Sequence, residues 1–288
     1  ALHIETALQN GAIIDVDNGV QDGTVANVRR LNQLVKITGL GTAGSALTET
    51  WDGTTWTETA DLSVARYGTN SSGTATSALA AGGYSQPASS EVASVEEFAA
   101  NAPVGAWATG GSLNQSRYGM MASGTVTASI AFGGRISPPN AYSALNEQYD
   151  GTSWTEVADL NTARAFAGST TGPYTAVLGF GGNSGSNQSI NEQWNGSAWT
   201  ETTDMNTAKS NVAGCGTTTA ALATGGTSNT NESWNGSAWT EVNDLNTARN
   251  GVGPNSSGTS TATLIAGGEQ PASPYALYAN SELWNGTS

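Results

Sequence analysis

The stretch Asn191-Glu-Gln-Trp-Asn-Gly-Ser-Ala-Trp-Thr-Glu at residues 191–201 returns as Asn231-Glu-Ser-Trp-Asn-Gly-Ser-Ala-Trp-Thr-Glu at 231–241. Looser copies keep a glutamate, an aromatic residue two positions later, a polar turn and, in all but the last copy, a second Trp. They read Glu49-Thr-Trp-Asp-Gly-Thr-Thr-Trp56, Glu96-Glu-Phe98 leading to Trp107, Glu147-Gln-Tyr-Asp-Gly-Thr-Ser-Trp154 and Glu282-Leu-Trp-Asn-Gly-Thr-Ser288. The chain is therefore built from six copies of one unit, and such repetition governs the architecture.

Two further features recur along the chain. A basic residue stands ten positions after the second Trp of a copy, at Arg66, Arg117, Arg164, Lys209 and Arg249. A Gly-Gly pair closes a short apolar run, as in Val177-Leu-Gly-Phe-Gly-Gly182, and a degenerate form lies at 36–41. Short apolar runs separated by Asn-Gly or Asp-Gly turns are typical of strands joined by tight hairpins, so we expect an all-β fold.

The order of apolar run, Gly-Gly, variable loop, Glu-x-aromatic, turn and Trp resembles the kelch repeat over about residues 36–288. The resemblance implies a propeller whose blades each have four antiparallel strands, a to d. We therefore predict an all-β, six-bladed kelch-like β-propeller. Its units, numbered 1 to 6, span about 36–66, 67–117, 118–164, 165–209, 210–249 and 250–288. The degenerate Gly-Gly of unit 1 and the Phe98 and longer turn of unit 2 depart from the pattern.

The two ends of the repeat array are incomplete. Unit 1 lacks an obvious strand a, and unit 6 stops before its strand d. The N-terminal segment 1–35 contains a stretch, 20–30, that aligns loosely with 239–249 and ends in Arg29-Arg30. We predict that residues of about 12–35 complete blades 6 and 1 and so close the ring.

The repeated side chains are predicted to serve the scaffold. Paired Trp residues are expected to pack the blades rather than to stack on sugars. Each repeated glutamate lies two residues before the aromatic and so on the same face of strand c. We expect it to pair with the repeated Arg or Lys; the alternative is a ring of carboxylates that binds cations. Cys215, the only cysteine, is predicted to be a buried, inert thiol.

Charge and composition exclude several functions. The net charge is −14 and only nine residues are Lys or Arg, so nucleic acid and anionic lipid are not expected partners. No apolar run is long enough to span a bilayer. His3 is the only histidine, and it lies outside the repeats. Zinc sites of the ordinary type and His-dependent nucleophilic catalysis need histidines within an organised site. We therefore predict a protein that is not an enzyme and has neither a metal nor a cofactor.

Ligand-binding residues are sought in the parts that do not repeat. Successive strands reverse direction, so the b–c and d–a connections emerge on one face of the propeller. The b–c connections vary from 8 to 16 residues in length, and variable loops are where binding is commonly found. Tyrosines and amides there suit polar, uncharged contacts. The candidate ligand-binding residues are Tyr84, Gln86, Arg135, Tyr142, Asn187, Gln188, Gln270, Tyr275 and Tyr278.

In style, the near-identical repeats and the acidic composition rich in Thr, Ser, Asn and Gly resemble kelch-type repeats of bacteriophage tail and fibre proteins. The resemblance implies a virion component that recognises a host-surface glycan or another virion protein and forms a homo-oligomer within a larger assembly. The expected location is extracellular or on the virion. The alternatives are a secreted or surface-attached bacterial adhesin or scaffold and, less favoured, a propeller enzyme that acts on carbohydrate.

Overall fold

The computed structural model describes residues 46, 48–51, 56–74, 77–85, 90–99, 106–251, 257–266, 268–271, 278 and 281–287. Every regular element in these residues is a β-strand. The all-β prediction is therefore confirmed for the described part of the chain. The segment 1–35, predicted to close the ring, and the degenerate Gly-Gly of unit 1 lie outside the described residues.

Units 2 to 5 each form a four-stranded antiparallel sheet whose strands a to d are adjacent in chain order. Unit 1 contributes the hairpin β1 (Glu49–Trp51) and β2 (Trp56–Glu58). Unit 2 contains β3 (Asn70–Thr74), β4 (Ser77–Ala81), the short loop strands β5 (Tyr84–Ser85) and β6 (Ser90–Glu91), β7 (Val95–Ala99) and β8 (Ala106–Gly110). Unit 3 contains β9 (Met121–Thr125), β10 (Ala128–Phe132), the loop strands β11 (Arg135–Ile136) and β12 (Ala141–Tyr142), β13 (Asn146–Tyr149) and β14 (Trp154–Val157).

Units 4 and 5 repeat this plan without loop strands, and unit 6 has three strands. Unit 4 contains β15 (Gly168–Ser169), β16 (Val177–Phe180), β17 (Asn191–Trp194) and β18 (Trp199–Glu201). Unit 5 contains β19 (Ala213–Thr217), β20 (Ala220–Thr224), β21 (Asn231–Trp234) and β22 (Trp239–Val242). Unit 6 contains β23 (Ser257–Thr259), β24 (Ala262–Ala266) and β25 (Ser281–Trp284).

The described residues thus form five blades and one hairpin, where six blades were predicted. The hairpin β1–β2 is the c–d half of unit 1, and the residues before it are outside the described part. In each pair of neighbouring blades from unit 2 to unit 6, the first strands lie side by side: β3 with β9, β9 with β15, β15 with β19, and β19 with β23. Inner strands that follow one another in this way are the arrangement of a β-propeller.

The c–d hairpins are tight because their turns use the side chain of Asn or Asp. In unit 4, Trp194 pairs with Trp199 in the β17–β18 register, and the Asn195 side-chain oxygen accepts hydrogen bonds from the backbone of Ser197 and Ala198 at 2.9 and 3.0 Å. Gly196 has φ 97°, a conformation that glycine adopts without strain. Unit 5 repeats this turn at Asn235. The predicted hairpins are therefore confirmed.

The repeated aromatics pack both within and between blades. The rings of Trp194 and Trp199 lie 5.5 Å apart across one hairpin. Trp199 also lies 4.7 Å from Phe132 of the preceding blade, and Trp239 lies 4.9 Å from Phe180 in the same way. A buried aromatic ring removes ~150–250 Å² from water and stabilises its blade by a few kcal/mol, at about 25 cal/mol per Å². Blade packing, as predicted, is the role of the described Trp pairs.

A buried ion pair joins each unit to the next. Arg66 at the end of unit 1 lies 2.5 Å from Glu96 in strand c of unit 2, and Arg117 lies 2.7 Å from Glu147 in unit 3. The same relation links Arg164 to Glu192, Lys209 to Glu232 and Arg249 to Glu282. The predicted pairing is confirmed for these five glutamates, each of which is paired with a repeated Arg or Lys. The side chain of Glu49 lies outside the description.

A repeated asparagine completes four of these five joints; at the first, the backbone N–H of Ser63 donates to Glu96 at 2.7 Å. The side-chain nitrogen of Asn161, seven residues after Trp154, donates to the second carboxylate oxygen of Glu192 at 2.8 Å and to the backbone of Trp199. Equivalent bonds run from Asn114 to Glu147, Asn206 to Glu232 and Asn246 to Glu282. Hydrogen bonds that satisfy both oxygens reduce the cost of burying a carboxylate.

Cys215 lies in β19 and is buried, as predicted. Its thiol contacts the backbone oxygen of Thr259 in the next blade at 3.3 Å. The residue therefore packs at a blade interface, which is consistent with a structural thiol.

Candidate functional site

The d–a and b–c connections meet on one face of the propeller, which we call the loop face. Tyr67, directly after Arg66, pairs with Tyr84, directly after a Gly-Gly pair, by two backbone hydrogen bonds of 3.0 and 2.8 Å. Tyr118 pairs with Arg135 in the same way. Further pairs are Ala165 with Asn183 and Asn250 with Glu269. The prediction that both connections emerge together is therefore confirmed.

The residues two positions after each basic residue form a collar at the inner rim of this face. They have positive φ in all five units: Gly68, Gly119, Phe166, Asn211 and Gly251, at 61°, 61°, 57°, 53° and 68°. The backbone N–H of Gly119 donates to Gly68, that of Phe166 to Gly119, and that of Asn211 to Phe166, at 3.3, 2.8 and 2.7 Å. The collar therefore links four successive units through their backbones, next to the first strands of the blades.

Phe166 is unusual because a large side chain occupies a position that favours glycine. A left-handed conformation costs a residue with a side chain roughly 1–2 kcal/mol. Its ring lies over Gly119, where an added Cβ would come within 2.4 Å of a ring carbon. The absence of a side chain at residue 119 therefore makes room for the Phe166 ring on the loop face.

Four aromatic rings follow one another across units 2 to 4, and we call them the aromatic arc. The centroid distances are 5.2 Å for Tyr67 and Tyr84, 5.9 Å for Tyr84 and Tyr118, and 6.0 Å for Tyr118 and Phe166. The last two pairs are edge-to-face, a favourable geometry for aromatic rings. All four side chains are partly exposed, so the arc presents an apolar strip to a ligand.

Charged and polar groups border the arc. The Arg135 guanidinium lies over the Tyr142 ring, 4.8 Å from its centroid, and these residues are partners in the β11–β12 hairpin. The Tyr142 hydroxyl donates to the side-chain oxygen of Asn183. Burial raises the pKa of Tyr118, which Arg135 lowers in part and Glu91 raises further. Tyr118 is therefore a neutral hydroxyl near neutral pH, within the electrostatic reach of one cation and one carboxylate.

The adjoining side of the loop face is polar and largely self-satisfied. The Asn187 amide donates to Thr227 at 3.2 Å and accepts from Ser210 at 2.9 Å, both in unit 5. The Gln188 amide donates to the backbone of Ser186 in its own loop at 2.9 Å. These amides hold loops in place, so fewer of their hydrogen-bonding groups are left for a ligand.

The structure brings together three of the predicted ligand-binding residues: Tyr84 is part of the aromatic arc, and Arg135 and Tyr142 lie beside it. Asn187 and Gln188 lie in the polar region of unit 4. Tyr278 lies 5.4 Å from the Arg249 guanidinium in unit 6, where Gln270 is partly buried. Gln86 and Tyr275 lie outside the described residues.

Sequence reasoning missed Tyr67, Tyr118 and Phe166. All three lie in the d–a connection, one or two positions after the repeated basic residue. That connection was predicted to lie on the loop face, but candidate residues were sought only in the b–c loops of variable length. A comparison of the units at that position would have shown Phe166 in place of the glycine of units 2, 3 and 6.

The described elements contain neither a helix long and apolar enough to cross a membrane nor a group of three or more His, Cys, Asp and Glu placed to hold a metal ion. The protein belongs to the class of β-propellers, and its blades are antiparallel sheets. It is similar in fold to YjhT, with a TM-score of 0.70 over 85% of this chain and 90% of that chain. The identity is 12%, so the likeness concerns the fold alone. No family model and no curated protein matches the sequence.

Proposed function

We propose that this protein is a non-enzymatic binding propeller, a component of a phage virion or tail fibre, whose loop face recognises a host-surface glycan. The observation that carries the proposal is the aromatic arc: four partly exposed rings aligned on the face where the variable loops meet. Binding sites combine apolar and aromatic surface with a few placed polar groups, and Arg135, Tyr142 and Glu91 supply those groups beside the arc.

The virion assignment rests on the kelch-like repeats and on composition. Charged residues make up 11% of the chain, and the net charge is −14. These features resemble the style of tail and fibre repeats. Another virion protein is the second ligand that the loop face would suit, and a surface-attached bacterial adhesin is the alternative setting for the same binding function. A carbohydrate-active enzyme is less favoured, and turnover on a glycoside panel would establish it.

Binding is tested with purified protein on an array of bacterial surface glycans and in a host-adsorption assay. Tyr118→Ala removes a central ring of the arc, and we expect about tenfold weaker binding because an aromatic contact is worth roughly 1 kcal/mol or more. Thr200→Ala, on the exposed outer strand β18, is the matched control and should bind like the parent protein. Equal binding by both variants, or no binding by the parent protein to any glycan or cell, would contradict the proposal.

We propose further that the ring has six blades and closes through the N-terminal segment. In the alignment of 20–30 with 239–249, Asn27 and Arg30 take the positions of Asn246 and Arg249. Those two residues bind Glu282 of the next unit, and the corresponding glutamate of unit 1 is Glu49. Strand β25 pairs only with β24 among the described strands, and 69% of the Leu283 side chain is exposed there. Both features suit a missing strand d.

Closure is tested by charge removal at the proposed joint. Arg30→Ala should lower the free energy of unfolding by about 3 kcal/mol, as breaking a buried ion pair does, and Glu49→Ala should show strong coupling to it in a double-mutant cycle. Arg29→Ala, one residue away, should change stability little. Similar effects for Arg29→Ala and Arg30→Ala, without coupling to Glu49, would refute closure.

A further inference from the structure

Arg135 differs from every other basic residue in the described part of the chain. Arg66, Arg117, Arg164, Lys209 and Arg249 each lie in a buried ion pair with a repeated glutamate. No ion pair engages Arg135 within those residues. Its buried Nε has no hydrogen-bond partner there, a feature that it shares with Arg117 and Arg164. Among the described basic residues, it is also the one that does not occupy the repeated position. Its role is therefore not that of a joint between blades.

The position of Arg135 is nevertheless well defined. Its backbone N–H donates to Tyr118 at 2.8 Å and its backbone oxygen accepts from Tyr118 at 3.1 Å. Its guanidinium rests on the Tyr142 ring, and the Tyr142 hydroxyl is held by Asn183. A guanidinium stacked on a ring keeps its in-plane N–H donors available, and it matches the geometry of a carboxylate. The N–H groups of the Arg135 guanidinium are therefore held in place, and no carboxylate among the described residues accepts from them.

Glu91 adds a second unsatisfied group. One of its carboxylate oxygens is buried without a hydrogen-bond partner, and it lies opposite Tyr84 in the β5–β6 register. It is not within 4.0 Å of Arg135, so the two charges do not neutralise each other by contact. A carboxylate accepts hydrogen bonds from hydroxyl groups, which a sugar carries in abundance.

These observations limit the charge of a ligand. A single free guanidinium attracts one anionic group, whereas Glu91 and the net charge of −14 oppose a ligand with a high density of negative charge. A phosphate or a polysulfated chain is thereby disfavoured. A sugar with one carboxylate and several hydroxyls satisfies Arg135 and Glu91 together, and its apolar face packs on the neighbouring rings.

We infer that the loop face takes an acidic saccharide, whose carboxylate binds the Arg135 guanidinium, whose hydroxyls donate to Glu91 and whose ring packs on Tyr118 and Phe166. This inference rests on the glycan-binding function proposed above and specifies the substrate class of that site. It makes Arg135 the residue that discriminates acidic from neutral sugars.

The experiment compares matched ligands on one array: uronate-containing oligosaccharides and the same oligosaccharides after reduction of the carboxyl group to an alcohol. We expect the parent protein to prefer the acidic form by about 10- to 100-fold, the range for a charge-assisted hydrogen bond. Arg135→Gln should abolish the preference, and Arg135→Lys should retain part of it. Asn140→Ala, in the exposed turn of the same hairpin, should keep the full preference.

The possible results distinguish failure of the acidic-saccharide inference from failure of the proposed glycan binding. Equal binding of both forms by the parent protein, or an acid preference unchanged by Arg135→Gln, would overturn the inference and leave glycan binding intact. Absence of binding to every glycan would overturn both. Thermal unfolding serves as the folding control, and Arg135→Gln should melt close to the parent protein because its guanidinium makes no ion pair with the described scaffold.

Discussion

The ammonium group of Lys209 lies 3.9 Å from the carboxylate of Glu232 and donates instead to the backbone oxygen of Thr230 at 2.8 Å. At other joints the Arg–Glu distance is 2.5 to 2.7 Å. Burial lowers the pKa of Lys209 to about 8, against an ordinary value of 10.5. The joint between units 4 and 5 is therefore the one in which the shared carboxylate is bound least directly.

We expect Lys209→Arg to strengthen this joint. In other units the arginine donates to the equivalent glutamate from one terminal nitrogen, and at Arg66 and Arg117 the other terminal nitrogen binds backbone oxygens. The free energy of unfolding at neutral pH should rise by about 1 kcal/mol, the typical net value of one added hydrogen bond. Urea unfolding measures the change, and the reverse substitution Arg164→Lys should lower stability; a loss of stability in Lys209→Arg would show that the site is shaped for lysine.

The same residue predicts a dependence on pH. Between its folded pKa of about 8 and the unfolded value of 10.5, the unfolded chain binds more protons at Lys209 than the native protein does, so stability rises with pH in this range. Relative to Lys209→Arg, the parent protein should gain on the order of 1–2 kcal/mol between about pH 8 and pH 10. Tyr149, whose pKa burial raises to about 12, acts in the opposite direction above pH 10 but does so equally in both proteins.

That comparison is made by urea unfolding at several pH values. A constant stability difference between the two proteins across this range would mean that Lys209 keeps its ordinary pKa in the folded state.

Asn161→Ala should destabilise the joint between units 3 and 4. The substitution removes the amide that donates to Glu192 and to the backbone of Trp199, and hydrogen bonds to a buried carboxylate contribute about 1–2 kcal/mol. Asn161→Asp should cost more because it places a second carboxylate beside the first. Thermal or urea unfolding measures both, with Asn140→Ala as an exposed control; an unchanged midpoint in Asn161→Ala would show that water replaces the amide.

Two substitutions of Phe166 distinguish the effect of its backbone strain on stability from the effect of its ring on ligand binding. Both Phe166→Gly and Phe166→Ala remove the ring and should weaken glycan binding equally. Phe166→Gly also relieves the positive φ, so it should be more stable than Phe166→Ala by about 1 kcal/mol. Binding on the array and urea unfolding provide the two measurements, and equal stability of the two variants would argue against strain at this residue.

Much of the scaffold follows from repetition. Glu192 and Arg164 were paired from their recurring positions, because a charge repeated in every unit needs a repeated partner, and the Trp hairpins follow from Asn-Gly turns between aromatics. The asparagine represented by Asn161 recurs at four of the five joints, but its polar side chain resembles an ordinary loop residue until its distance to the carboxylate of the next unit is seen. Sequence spacing alone does not measure that distance.

The candidate site was only half predictable. Tyr84, Arg135 and Tyr142 lie in variable loops and were identified there. Tyr118 and Phe166 approach them from neighbouring units, and that approach depends on how the blades are placed around the ring. The predicted sixth blade depends on residues 1–35, which lie outside the described part of the chain, and the described residues form five blades and a hairpin.

The ion-pair joint has a consequence for how such a chain changes its length. Each of units 2 to 5 offers a carboxylate to the unit before it and a cation to the unit after it. An extra copy inserted in frame therefore brings one partner for the joint on each of its sides, and its neighbours already carry the other partners. Gene duplication can therefore lengthen the array without compensating substitutions, and the near-identity of 191–201 and 231–241 is what such an event leaves behind. Diversification then falls on the loop face, where copies such as those carrying Phe166 and Gly119 differ.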